Sequence, residues 1–194
     1  GRLVTATVDV TDEPAVEAAV AAAADTLGGI DVLVNVAGVH RTTPIDRLRA
    51  ADLREPFEVN CVGTALFCRE ALRHLPDGHG VIVNVASSAA THGNPYMSAY
   101  SASKGAVLAL SLSLAAELVG RGIRVVPVSP GQVATPLTEA SLPEGLDLRY
   151  YARIRSPLGA ADPEQLAGAI AFAASRDASY LTGAELRVDG GSHI

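Results

Sequence analysis

Residues 80–85, Gly-Val-Ile-Val-Asn-Val, decide the fold. Their apolar side chains follow one another without the polar–apolar alternation of a strand with one solvated face. The segment therefore predicts a strand that is buried on both faces. Residues 31–36 and 123–128 have the same character. Strands of this kind belong to parallel sheets that helices cover on both sides.

The segments around these strands predict helices and two further strands. The predicted helices cover Thr11–Leu27, Ala51–His74, Ser98–Val119 and Asp162–Ala174, and the further strands cover Leu3–Val8 and Glu185–Val188. The acidic cap and proline at residues 11–14 are typical of a helix start. Alternation of strand and helix favours a single α/β domain over residues 1–194, with a doubly wound parallel sheet.

Composition narrows the classes of partner. A net charge of -6 over 194 residues argues against nucleic acid or an anionic membrane as the main partner. The apolar stretch at residues 105–119 is shorter than the roughly 20 residues that span a bilayer, so we expect a buried helix. Cys61 and Cys68 stand seven apart, which predicts small core residues in a reduced, cytoplasmic protein. The five histidines have no metal-ligand spacing, and we expect no catalytic metal.

The ends of the predicted strands predict the ligand site. In parallel α/β sheets, ligands bind at the carboxyl ends of the strands. This sequence places polar or small residues there: Asp9, Asn35 to Gly38, Ser87, and Pro130-Gly131. The small residues at 35–38 would let a flat ligand approach the backbone.

Tyr100 and Lys104 are the candidate reactive pair. Residues four apart on a helix share one face, so phenol and ammonium can point into one cleft. A nearby cation stabilises a phenolate and lowers its pKa by roughly 1–3 units, which makes tyrosine useful in acid–base catalysis. Ser87, thirteen residues upstream, can bind a substrate carbonyl beside the tyrosine. Alternatively, Ser87 or Ser88 merely caps the turn. Asn60, unfavourable inside a helix, is either solvated or buried with an assigned partner.

Together these motifs resemble the short-chain dehydrogenase/reductase family, and the resemblance runs along the whole chain. It includes the segments Asp9-Val10, Asn35-Val-Ala-Gly38, Pro130-Gly-Gln-Val-Ala-Thr135, Leu181-Thr-Gly183 and Val188-Asp-Gly-Gly191, and the residues Asn60, Ser87, Tyr100 and Lys104. Members similar to 3-oxoacyl-carrier-protein reductases give the generic match. The resemblance implies a Rossmann-type fold and an NAD(P)-dependent oxidoreductase, a ketoreductase or alcohol dehydrogenase acting on a small carbonyl or alcohol substrate.

The resemblance also implies roles for individual residues. Tyr100 exchanges a proton with the substrate oxygen, Lys104 lowers the pKa of Tyr100 and holds the nicotinamide ribose, Ser87 orients the substrate, and Asn60 holds a water that connects Lys104 to solvent. The implied cofactor-binding residues are Asp9, Val10, Asn35, Ala37, Gly38, Tyr100, Lys104, Pro130, Gly131, Val133 and Thr135. The implied substrate-binding residues are Ser87, Tyr96 and Tyr100.

The sequence departs from the family at its start. The glycine-rich turn of a Rossmann unit is absent, so a β-α-β-α portion is missing from the N-terminal side. Either the chain is part of a longer protein, which we expect, or it begins here. The gap removes the residue that distinguishes NAD from NADP, so either cofactor is expected.

Other functions and contacts stay open. A catalytically idle relative that serves as a binding or scaffold subunit is the main alternative, and lyase or epimerase chemistry ranks lower. A Tyr–Lys spacing narrower than that of the family's enoyl reductases argues against carbon–carbon double-bond reduction. His40 and His92 are either pocket or solvated loop residues. Arg149, Arg153 and Arg155 either receive an anionic substrate or form a solvated face. By resemblance we expect a homotetramer or homodimer.

Overall fold

The computed structural model describes residues 3–135 and 144–193. Within them, four strands form one parallel sheet in the order β1-β2-β3-β4, with bounds β1 (Val32–Asn35), β2 (Val81–Val85), β3 (Arg124–Pro130) and β4 (Leu186–Val188). The α-helices are α1 (Glu13–Leu27), α2 (Ala50–Phe57), α3 (Gly63–Ala71), α4 (Ser98–Leu118) and α5 (Pro163–Ala174). The predicted α/β class is confirmed.

Helices cover both faces of the sheet, because the apolar side chains of its two central strands alternate between two cores. On one face, Ile82 and Val125 pack with residues of α3 and α4, including Cys68 and Ala115. On the other face, the neighbouring residues Val81, Val83, Val126 and Val128 pack around Ala173 of α5. All five residues of β2 are buried, as its unbroken apolar sequence predicted.

The prediction of a strand at Leu3–Val8 was wrong. Residues 3–9 form no strand, and most of them are exposed. β-branched residues favour a strand only where a neighbour supplies ladder hydrogen bonds. No described strand lies beside this segment, and β1 pairs with β2 alone.

The helix predicted at Ala51–His74 is also corrected. The chain forms α2, then a π-helical turn at Glu58–Val62, then α3. In that turn the Gly63 N–H donates to the Glu58 carbonyl, five residues back. Single π turns inside α-helices often occur at functional sites. Here the turn contains Asn60, which is fully buried.

The predicted buried helix corresponds to α4. By length and composition alone, residues 98–121 could cross a membrane. In this fold α4 packs along β3, and its buried residues include Lys104 and Ser111. The helix therefore forms part of the core, as expected from its short apolar run.

Candidate active site

The candidate site lies at the carboxyl edge of the sheet, where β2 and β3 end. A cavity of about 680 Å³ opens there, and Ser87, Met97, Tyr100 and Gly131 are among the residues that line it. Ser87 stands two residues after β2, and Gly131 directly follows β3. The prediction that ligand-contacting residues gather at the strand ends agrees with this placement.

Ser87 caps a turn, which is one of the two roles that the sequence left open, and it also lines the cavity. It begins the 3-10 turn Ser88–Ala90, and its hydroxyl oxygen accepts the Ala89 N–H at 3.2 Å. Tyr100 lies on the first turn of α4, and its side chain lines the same cavity as Ser87. Burial raises the pKa of Tyr100, and the Ser87 hydroxyl opposes that rise. The phenol is therefore protonated at neutral pH.

Lys104 lies one turn further along α4, buried to 4% exposure. It is the single lysine of the sequence. Its Nζ donates to the Val85 carbonyl at 2.7 Å. Burial lowers the pKa of Lys104 to about 8, because a charged amine loses hydration there. Burial and Ser87 shift the pKa of Tyr100 in opposite directions, and the expected effect of Lys104 on that pKa stays a prediction.

Asn60 connects two parts of the site through its side chain. Its Oδ1 accepts the Val39 N–H at 2.8 Å, and its Nδ2 donates to the Val39 carbonyl at 3.0 Å. Nδ2 also donates to the Ser103 hydroxyl at 2.9 Å. Asn60 thus ties the loop after β1 to α4, so it is the buried polar group with assigned partners that the sequence offered as one alternative.

Gly38 lies against the side chains of Asn60 and Lys104. A Cβ added there would lie 3.1 Å from Asn60 Oδ1 and 3.4 Å from Lys104 Nζ. No side chain fits without moving one of these groups. The backbone of the loop after β1 can therefore approach the lysine closely, as the small residues at 35–38 predicted.

Three of the predicted cofactor residues, from the segment before α1 and around the end of β1, line a second, smaller cleft. Val10, Asn35 and Ala37 are among the residues lining this cleft of about 160 Å³. The Asn35 amide donates to Asn84 Oδ1 at 2.9 Å, so its side chain binds the neighbouring strand. Asp9 is exposed, and its carboxylate accepts the N–H and hydroxyl of Thr11.

The predicted cofactor residues after β3 are held by the chain's C-terminal part. The Gly131 N–H donates to the Val188 carbonyl at 3.1 Å, and a Cβ on Gly131 would approach Asp189 Cα to 2.8 Å. Val133 forms a parallel bridge with Ala161. Of the residues predicted in this segment, Pro130 ends β3 and Thr135 is the last one before the undescribed residues 136–143.

Tyr96, predicted to contact substrate, stands one layer behind the cavity wall. Its hydroxyl accepts the Asp147 N–H at 3.2 Å, and its ring stacks on Tyr151 at 6.2 Å between centroids. Its neighbours Tyr151 and Met97 line the cavity, whereas Tyr96 itself does not. Tyr96 also has a positive φ of 61°, an uncommon backbone for a bulky residue.

Two histidines belong to the site more closely than the sequence indicated. His40 lines the cavity and meets the Tyr100 ring edge-on at 4.8 Å, and burial lowers the pKa of His40. His193 also lines the cavity and stacks on His92 at 4.6 Å. The sequence contained a signal for His40, because this histidine follows the small-residue turn at 35–38. Nothing in the sequence indicated His193.

Comparisons with known proteins agree with the geometry. A family model described as enoyl-(acyl carrier protein) reductase matches residues 1–193. Cis-4-hydroxycyclohexanecarboxylate dehydrogenase of Sinomonas cyclohexanicum is 44% identical over 186 residues, covering 94% of this chain and 74% of that protein. 3-oxoacyl-[acyl-carrier-protein] reductase of Thermotoga maritima is 38% identical over 185 residues, with the same 94% and 74% coverage. A short chain dehydrogenase from Burkholderia cenocepacia, solved in complex with NADP, superposes with a TM-score of 0.85 at 32% identity, covering 97% of this chain and 76% of that one.

Proposed function

Because the chain belongs to the short-chain dehydrogenase/reductase family, whose members are NAD(P)-dependent oxidoreductases of alcohols and ketones, we propose that Tyr100 is its general acid and base. Ser87 orients the substrate oxygen in this proposal, and Lys104 and Asn60 complete the catalytic group. The observation that supports the assignment is that Ser87 and Tyr100 both line a cavity large enough for a small substrate, with Lys104 buried one turn along α4 from Tyr100.

The residues present suit the nicotinamide half of an NAD(P) cofactor. The absence of a side chain at Gly38 leaves its backbone close to Lys104, and Gly131 packs directly on Asp189. A lysine has three donors, and only one of those of Lys104 is given to Val85. We assign the others to the ribose hydroxyls. When bound, the cofactor supplies or accepts the hydride.

The proton step follows from the state of the Tyr100 phenol. A raised pKa keeps the phenol protonated at neutral pH, so it can donate its proton to a carbonyl oxygen during reduction. In the oxidation direction the phenolate accepts the proton of the alcohol. The Ser87 hydroxyl oxygen accepts a hydrogen bond from the Ala89 N–H. Its own O–H remains available to donate to the substrate oxygen and position it.

Tyr100→Phe tests this assignment. The variant keeps the ring and removes the proton, so kcat should fall by roughly 10²- to 10⁴-fold, the usual contribution of a general acid. Tyr180→Phe is the matched control, because Tyr180 is fully exposed. Cofactor binding, measured by nicotinamide fluorescence, should be similar in both variants. Turnover of Tyr100→Phe within threefold of the control would contradict the proposal.

The description of the matching family model raises a second candidate, reduction of an enoyl substrate. A screen of ketones, alcohols and enoyl thioesters with both NAD(H) and NADP(H) separates the two reactions and identifies the cofactor. Hydroxycyclohexanecarboxylate, named for one relative, is a rational first substrate. The relatives do not favour a catalytically idle binding subunit, since they are named as enzymes.

We also propose that the protein works in the cytoplasm as a homotetramer or homodimer. Two free thiols, Cys61 and Cys68, support a reducing compartment. An exposed side of α4 that includes Leu112 supports association. Sedimentation of the purified protein, with a concentration series, measures the oligomeric state.

A further inference from the structure

The wall of the main cavity carries an excess of positive charge. Arginines are prominent among its lining residues: Arg41, Arg47, Arg49 and Arg155. Asp52 is the one carboxylate residue that lines it within the part of the chain that the structure describes. This concentration of cations stands in a chain whose net charge is -6. Overall composition therefore does not account for the charge of the cavity.

Two of these arginines are neutralised within the protein. Arg41 donates to both carboxylate oxygens of Glu55, at 2.6 and 2.8 Å. Arg49 donates to both carboxylate oxygens of Asp52, at 3.3 and 3.2 Å. Each pair is bidentate, so these guanidinium groups have little positive charge left for a ligand.

The other two arginines have no carboxylate partner among residues 3–135 and 144–193. Arg47 makes only a long contact of 3.5 Å with the Glu144 carbonyl oxygen. Arg155 makes no hydrogen bond or ion pair with any described residue. Arg149 differs from both, since Asp147 binds it at 2.6 Å and it does not line the cavity.

We infer that this cavity binds an alcohol or ketone that carries a carboxylate or a similar compact anion, and that Arg47 and Arg155 hold that anion. The inference rests on the proposed function of the same cavity. A guanidinium fork matches the two oxygens of a carboxylate, and it cannot lose its charge. A volume of about 680 Å³ accommodates a small acid. Arg47 and Arg155 are thus specificity-determining residues, separate from Tyr100 in role.

Calorimetry with an unreactive pair of probes tests the inference. Cyclohexanecarboxylate and cyclohexanecarboxamide have nearly the same shape, and neither has a hydroxyl to oxidise. Each is titrated into the protein in the presence of NAD⁺ and, separately, of NADP⁺. The carboxylate should bind at least tenfold more tightly than the amide. Arg47→Gln and Arg155→Gln should each remove most of that preference, and Arg149→Gln, the matched control, should keep it.

The outcomes distinguish this inference from the proposed catalytic role. Equal binding of the two probes, or an unchanged preference in both cavity variants, would overturn the anion site while neutral ketones could still turn over. Carboxylate binding without turnover of any alcohol or ketone would instead overturn the proposed function. Tyr100→Phe should keep the carboxylate preference and lose turnover. Because Arg47 and Arg155 are exposed, unchanged melting temperatures of their variants confirm folding.

Discussion

At the residue scale, the protonation state of Tyr100 determines how the two reaction directions depend on pH. Burial raises its pKa above the usual value near 10, and Ser87 opposes the rise. Between pH 6 and 9 the phenol therefore stays protonated. Reduction, which uses the phenol, should therefore lose no kcat/KM through ionisation of Tyr100 over that range, and any change near pH 8 would report Lys104 instead.

Oxidation requires the phenolate, so its kcat/KM should climb with pH, approaching tenfold per unit below the pKa of Tyr100. Ser87→Ala should move this climb to higher pH, because the variant loses the hydroxyl that lowers the pKa of Tyr100. Initial rates with a saturating cofactor, from pH 6 to 10.5, measure both profiles. An oxidation rate independent of pH would show that another group accepts the proton.

Gly38 gives a second test at this scale. In Gly38→Ala the new methyl group would press on Asn60 Oδ1 and Lys104 Nζ, so one of them must move by a few tenths of an ångström. We expect KM for the cofactor to rise about tenfold or kcat to fall by a similar factor, since such small misplacements are costly in active sites. Gly93→Ala is the matched control, because its Cβ would meet nothing within 4 Å. Equal kinetics of the two variants would contradict a role for this close approach.

Residue identities could be predicted from the sequence better than their partners. Helix spacing and a strand end suggested Tyr100, Lys104 and Ser87, and the family resemblance made them specific candidates. The bond from Asn35 to Asn84 could not be predicted, because it depends on the register between β1 and β2. That Arg155 has no carboxylate partner among the described residues likewise depends on where distant carboxylates lie.

At the element scale, the π-helical turn at Glu58–Val62 has a cause that no local pattern contains. Helix propensity predicts one continuous helix through this region. The turn adds one residue to the helix where Asn60 bonds Val39 and Ser103. Those partners are 21 and 43 residues away, so only the tertiary structure identifies them.

Asn60→Ala tests the structural importance of this turn. It would leave the buried Ser103 hydroxyl and the partly buried N–H and carbonyl of Val39 without their hydrogen bonds to Asn60, and an unsatisfied buried group costs about 1–3 kcal/mol. We expect the free energy of unfolding to fall by about 2–4 kcal/mol in urea titrations. Glu58→Ala, an exposed change in the same turn, should alter it by less than about 0.5 kcal/mol. A loss of activity without loss of stability would instead indicate a purely chemical role for Asn60.

Strand prediction succeeded where burial is complete and failed where it is not. The apolar runs of β2 and β3 were recognisable because helices cover them on both sides. Leu3–Val8 has the same residue types, yet it lacks a paired neighbour among the described strands. Sequence pattern reports the residue types that suit a strand, whereas pairing depends on the rest of the sheet.

At the scale of the whole molecule, protection should decrease from the centre of the sheet to β1. Val125, Val126 and Val128 of β3 are fully buried, and β3 pairs with β2 on one side and with β4 on the other. In β1, by contrast, Val32 and Val34 are each 38% exposed. Hydrogen exchange followed by mass spectrometry should show peptides over 124–130 exchanging at least a hundredfold more slowly than those over 32–35. Equal protection would mean that another element covers β1 in solution.

The burial of Lys104 has a consequence for protein chemistry. As the chain has one lysine, every ε-amine reagent is directed at a single atom, Nζ, beside Gly38 and Val85. With its pKa lowered to about 8, this amine is largely neutral and nucleophilic in mildly alkaline solution, where ordinary lysines are still protonated. Acylation at that pH would modify Lys104 together with the α-amino terminus, whose ordinary pKa is also about 8, and bound cofactor would shield Lys104 alone. The mass increment on the peptide that contains Lys104 would then report the occupancy of the site.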